Sequence, residues 1–186
     1  MIFLGIDLAA SERHPSGVAI INSGLEVLYL GELYKDEEIL EVITQFSPAI
    51  ASIDAPLYAK DAGFRDVERI MMKSGFRFLP LSLKSMKELS RRGVKIAEVL
   101  RKNGIKVIET HPTSCIKYLG LSFEELLRDV GIILNKKVSS HEKDSLISAL
   151  VSIAFYLGES RCFSGQEGTI CIIEKGFIYK LVKNIK

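Results

Sequence analysis

Three short apolar runs in this chain each end on a carboxylate. Ile2 to Leu8 carries Asp7, Ile50-Ala51-Ser52-Ile53 stops at Asp54-Ala55-Pro56, and Ile105-Lys106-Val107-Ile108 leads into Glu109-Thr110-His111-Pro112. Unbroken apolar runs of this length read as strands covered on both faces, which is the condition of strands in α/β sheets. Between them the period changes. From Asp36 to Phe46 the residues Ile39, Leu40, Val42, Ile43 and Phe46 recur at helical spacing, and Ser47-Pro48 ends that helix. Gly17 to Ile21 and Leu25 to Leu30, joined by Asn22-Ser23-Gly24, read as a β-hairpin that follows the first strand.

The middle of the chain is less regular. Pro56 to Phe64 reads as loop, Arg65 to Lys73 as a short helix, and Leu83 to Asn103 as a longer helix closed by Gly104, so a helical insertion precedes the fifth strand. Leu121 to Val130 is predicted helical. Ser139-Ser140-His141-Glu142 has the form of a capping box, with Ser139 as N-cap, and opens a helix running to about Gly158. Gly168 to Ile173 and Phe177-Ile178-Tyr179 predict a C-terminal hairpin around Lys175-Gly176. At 186 residues and 47% apolar, the chain suits one domain with one core. The predicted architecture is α/β: a mixed five-stranded sheet in the order 3-2-1-4-5, with strands one, four and five parallel and helices flanking it.

That order would place Asp7, Asp54 and Glu109 at the carboxyl ends of three neighbouring strands, where open α/β sheets put their ligand sites. Adjacent strands lie about 4.8 Å apart, close enough for Asp7 and Asp54 to share an ion. Like charges so near one another, partly withdrawn from water, are costly unless a cation neutralises them or one takes a proton. On the capped helix, His141, Asp144, Ser145 and Ser148 share one face. Its small residues, Ser148, Ala149 and Ser152, allow a close approach to the sheet that would bring Asp144 towards Asp7. Four oxygen ligands without a cysteine or histidine cluster favour Mg2+ or Mn2+ over zinc. A two-metal carboxylate site of this kind hydrolyses phosphodiesters.

Each acid also has a plain structural role open to it. Asp54 before Ala55-Pro56 suits a turn cap, Glu109 suits a strand-end salt bridge, and Asp144 complements a helix dipole. His111 and His141 suit either proton shuttles or hydrogen-bonded surface residues. Arg65 and Glu68, one helical turn apart, either pair with each other or leave Arg65 free to hold a substrate phosphate.

The chain has 25 basic and 23 acidic residues, a formal +2, so no global field attracts nucleic acid. The local exception is the stretch from Lys84 to Lys106, where Lys84, Lys87, Arg91, Arg92, Lys95, Arg101, Lys102 and Lys106 face only Glu88 and Glu98. It reads either as a phosphate-backbone surface, with Arg91, Arg92, Lys95 and His141 as substrate contacts, or as a solvated helix face. The three cysteines, Cys115, Cys162 and Cys171, lack metal or redox spacing and read as buried thiols in a reducing compartment. No basic leader precedes Asp7, and Leu146 to Leu157 is too short and serine-rich to span a bilayer, so the expectation is a cytoplasmic protein with no membrane partner.

Five pieces, in this order, carry a resemblance: Gly5-Ile6-Asp7-Leu8-Ala9, Ile53-Asp54-Ala55-Pro56-Leu57, Arg65 with Glu68, Glu109-Thr110-His111-Pro112, and His141 through Ala149. They resemble the predicted nucleases with a ribonuclease H-like fold grouped as domain of unknown function 429. The resemblance implies that fold, a single ribonuclease H-like domain over 1–186, and a divalent-metal-dependent nuclease acting on DNA or RNA. The metal and catalytic residues would be Asp7, Asp54, Glu109 and Asp144. Two other functions fit the same strand-one acid and hairpin. One is a non-catalytic binding or scaffold protein. The other is a phosphotransferase of the actin and sugar-kinase type, which clamps nucleotide between two such domains, whereas this chain has one and lacks a glycine-rich phosphate loop.

Overall fold

The computed structural model describes residues 1–58 and 63–177. Seven strands form one sheet in the order β3-β2-β1-β4-β5-β7-β6. The first five are β1 (Ile2–Asp7), β2 (Ser16–Asn22), β3 (Val27–Leu33), β4 (Ile50–Asp54) and β5 (Lys106–Thr110), in the expected 3-2-1-4-5 order. β1 runs antiparallel to β2 and parallel to β4, and β4 runs parallel to β5.

The sheet differs from expectation at its far edge. β6 (Ser160–Gly165) and β7 (Gly168–Ile173) form an antiparallel hairpin, and β7 pairs parallel with β5. The C-terminal hairpin therefore turns at Gln166-Glu167, not at Lys175-Gly176, and its other arm precedes Gly168. Of the arm expected at Phe177-Ile178-Tyr179, Phe177 is buried outside any strand, and Ile178 and Tyr179 lie outside the described residues. The signal was weak because β6, Ser-Arg-Cys-Phe-Ser-Gly, is half-exposed and largely polar.

The same register corrects the cysteines. Cys162 and Cys171 stand directly opposite each other across the hairpin, with Cα atoms 4.1 Å apart, and are joined as a disulfide. Only Cys115 is a buried free thiol among the described residues, and burial pushes it up to about 12.

Two helical layers cover the sheet. Along β1, Phe3 packs on one side while Leu4 and Ile6 pack on the other, as strand alternation requires. The first side holds α6 (Ser140–Tyr156), with α2 (Asp66–Lys73), α4 (Pro112–Leu119) and α5 (Phe123–Val130) around it. The second holds α1 (Asp36–Phe46) and α3 (Lys84–Lys102). The capping box of α6 is present, with the Ser139 hydroxyl accepting the Glu142 N–H at 3.1 Å. α4 was not foreseen. His111 caps it, Pro112 occupies its first turn and Gly120 ends it in the left-handed conformation.

α6 lies almost against the sheet backbone. A Cβ added at Gly5 would stand 2.0 Å from the Ser145 carbonyl oxygen and 2.2 Å from the Ala149 nitrogen, and one at Gly17 would stand 2.0 Å from the His141 carbonyl oxygen. Ser152 completes the seam, donating to the Leu4 carbonyl at 2.8 Å and meeting the Ser52 hydroxyl at 2.7 Å. Among the described residues no helix is long and apolar enough to cross a membrane.

Candidate active site

Asp7 and Asp54 are direct neighbours in the β1–β4 register. Both share the parity of the residues facing α6: Phe3 and Gly5 in β1, Ile50 and Ser52 in β4. Because Gly5 and Gly17 let α6 come so close, the first turns of that helix bring His141 and Asp144 to the same strand ends. His141 Nδ1 lies 2.7 Å from Asp7 Oδ2. Burial raises Asp7 above the usual carboxylate range, and the His141 bond works against that rise. Asp144 is pushed up to about 6, first by burial and then by the charge of Asp7. Asp54 is raised well above the usual range, by burial and by the charges of Asp7, Asp144 and Glu109 together. No hydrogen bond or ion pair offsets this charge on Asp54 among the described residues.

Glu109 behaves differently. It pairs in register with Ile53, not Asp54, and its carboxylate is already engaged. The Arg65 guanidinium grips both of its oxygens, with Nη1 2.9 Å from Oε2, while the Leu57 N–H donates to it at 2.9 Å. Arg65 also binds Glu68 Oε1 through Nε at 3.0 Å and Nη2 at 2.9 Å. The triad is sealed: Arg65 and Glu68 are each 1% exposed and Glu109 is 6%. Arg65 is thus an internal clamp on two carboxylates, which corrects its assignment to substrate.

Arg92 is corrected likewise. It is buried, donating to Asp36 Oδ1 at 2.8 Å and to the carbonyls of Ala9 and Tyr34 at 2.8 and 2.9 Å, and so ties the loop after β1 to α1 and α3. Arg91 is exposed, and Lys95 is exposed while reaching Asp36 at 3.1 Å. His141 is tied to the acid cluster by its bond to Asp7.

A cavity of about 360 Å³ opens over these groups. Asp7, Asp54, Glu109 and Arg65 line it together with Arg77, Phe78, Leu79, Met86 and Leu89 from the insertion. His111 and Thr113 complete its rim. The His111 ring stacks on Phe78 at 4.6 Å between centroids, and burial alone lowers its pKa to about 4.

Among the described residues, no three His, Cys, Asp or Glu side chains form a ready-made cage for an ion. The donor chemistry nevertheless fits a hard divalent cation, because Asp54 and Asp144 are carboxylates driven towards protonation by burial and like charge, offset at Asp144 only in part by His141 and Lys143 and at Asp54 by no cation among the described residues. Asp7, Asp54 and Asp144 are the residues that would hold it. Glu109, already bound to Arg65, would steady Arg65 and the Leu57 backbone at the edge of the site.

No family model matches this chain, and no curated protein matches it. A solved structure does: Thermus RuvC, described as T. thermophilus RuvC in complex with Holliday junction substrate, aligns with a TM-score of 0.57 over 85% of this chain and 96% of that one, at 18% sequence identity. The fold is ribonuclease H-like. At that identity the likeness concerns the path of the chain alone.

Proposed function

We propose that the protein is a divalent-metal-dependent nuclease, of the kind grouped as domain of unknown function 429, that hydrolyses phosphodiester bonds at the Asp7–Asp54–Asp144 cluster. One observation carries the reading. Asp54 is half-buried beside Asp7 at the ends of two parallel strands, close to Asp144 of α6, and is raised well above its ordinary pKa with no cation to balance it among the described residues. An architecture that only needed packing there would not gather three carboxylates at such cost. Mg2+ or Mn2+, bound by these oxygens, would supply Lewis-acid activation of water and stabilise the leaving oxygen. The chain's own residues do the rest: His141 orients Asp7 through its 2.7 Å bond, Arg65 fixes Glu109, and the apolar wall of Phe78, Leu79 and Leu89 excludes water from one side of the cavity.

Arg91 and Lys95, exposed along α3, are proposed to meet the nucleic-acid backbone beyond the cavity. Branched DNA is the first substrate to try, since the fold neighbour was solved with a Holliday junction; hybrid and single-stranded substrates follow. In a thermal shift with Mn2+, Mg2+ and chelator, wild type is expected to melt higher with metal and Asp7→Asn to lose that gain, with cleavage lost in parallel. A wild type indifferent to both metals and inert on every substrate would instead favour a non-catalytic binding protein on the same fold.

A further inference from the structure

His111 stands where β5 hands over to α4, and its two ring nitrogens have different surroundings. Nδ1 accepts the Ser114 backbone N–H at 3.3 Å and lies 2.7 Å from the Ser114 hydroxyl, capping α4. A ring nitrogen that accepts from the backbone leaves the proton on the other, so Nε2 carries the N–H. Among the described residues that N–H has no protein acceptor. Among the described residues every buried side-chain nitrogen and oxygen has a hydrogen-bond partner, so an unpartnered Nε2 must reach open space. The open space His111 lines is the cavity over Asp7, Asp54 and Glu109. The Phe78 ring, 4.6 Å away, holds the imidazole plane, and the cap holds its other edge. Of the other donors lining the cavity, Arg65 is engaged by Glu68 and Glu109 and the Thr110 hydroxyl by the Cys171 carbonyl at 2.8 Å, whereas Arg77 is an exposed cation that no cap or ring contact fixes as the imidazole is fixed.

We propose that His111 is a substrate-contacting residue whose Nε2–H donates a hydrogen bond to a non-bridging oxygen of the phosphodiester at the carboxylate cluster. This rests on the nuclease reading above and adds a fixed donor to it. A rigid donor suits that position, because the acids on the cavity floor repel a phosphate and a pre-aimed N–H offsets part of that repulsion without reorganising.

The two jobs of His111 separate by substitution. Asn at 111 keeps an oxygen that accepts the Ser114 N–H but does not reach the Nε2 position; Gln extends an amide N–H towards that position but caps poorly. The measurement is the affinity of fluorescent branched and single-stranded oligonucleotides in chelator, where no cleavage occurs, together with melting temperature. His111→Asn is expected to melt like wild type and bind about tenfold more weakly. His111→Gln should melt lower yet recover most of the binding. If His111→Asn binds as wild type does, or if binding follows melting temperature across both variants, the proposal is overturned while the metal response still supports the nuclease. If wild type binds no oligonucleotide and shows no metal response, the nuclease reading itself has failed, and this contact with it.

Discussion

Asp7, Asp54 and Asp144 are all held above the ordinary carboxylate range, with burial the first cause in each and mutual repulsion added at Asp54 and Asp144. Such a site stores instability that a cation would relieve, and Asp144 allows the sign to be worked out. Its folded pKa of about 6 exceeds the unfolded reference of 3.8. Below the lower value both states are protonated and nothing is lost. As pH rises through the upper value, the folded protein must surrender a proton it holds more tightly than the unfolded chain does, and stability falls. In metal-free buffer, Asp144→Asn should therefore match wild type in melting temperature at pH 4 and exceed it by a few degrees at pH 7. Melts at the two pH values check this; an equal offset at both would show that the aspartate's charge is not the cause.

At the scale of elements, the site depends on how closely α6 meets β1 and β2. Helix-on-sheet packing normally interposes side chains, and here Gly5 and Gly17 remove them, letting the helix backbone descend onto the strands. Gly5→Ala would place a methyl inside the backbone of Ser145 and Ala149, so α6 must lift. The expected cost is about 1–3 kcal/mol or more by chemical denaturation. Because Asp144 rides on α6, the variant should also lose metal-induced stabilisation even at temperatures where it is fully folded. The insertion contributes separately. α3 brings Met86 and Leu89 to the cavity wall and seats Gly93 on Ala55, just past Asp54.

Across the whole molecule, the β6–β7 hairpin forms the sheet edge beyond β5. The Asp66 N–H at the start of α2 donates to Glu167 in the hairpin turn at 2.9 Å, and Gly165 abuts the Val67 backbone. The hairpin thereby braces the helix whose N-cap, Arg65, grips Glu109. The Cys162–Cys171 bond closes a short loop, and loop-closure entropy sets its contribution at about 2–3 kcal/mol. Reductant, or Cys162→Ser, should lower the melting temperature by several degrees, and after reduction Cys115 should stay unreactive towards alkylating agents until the protein unfolds. A melting temperature indifferent to reductant would mean that the hairpin keeps its place without the covalent tie.

Unbroken apolar runs located β1, β4 and β5, helical periodicity located α1 and a capping box located α6, and together they carried Asp7, Asp54 and Asp144 to one end of one sheet. The same signals did not find α4, which follows directly on the end of β5 with no linker between them, or β6, whose polar face hides its alternation. The fate of Glu109 was likewise beyond them: the guanidinium that holds it comes from Arg65, 44 residues away in the chain, and that contact exists only when the elements are packed. Arg65 and Arg92 looked like surface cations for the same reason, since an arginine's partners come from distant segments, Glu109 in one case and Asp36 in the other. Local sequence determined which elements form and which carry acids. The tertiary structure decided which charges meet, because separations of a few ångströms between residues far apart in the chain are set by packing and register.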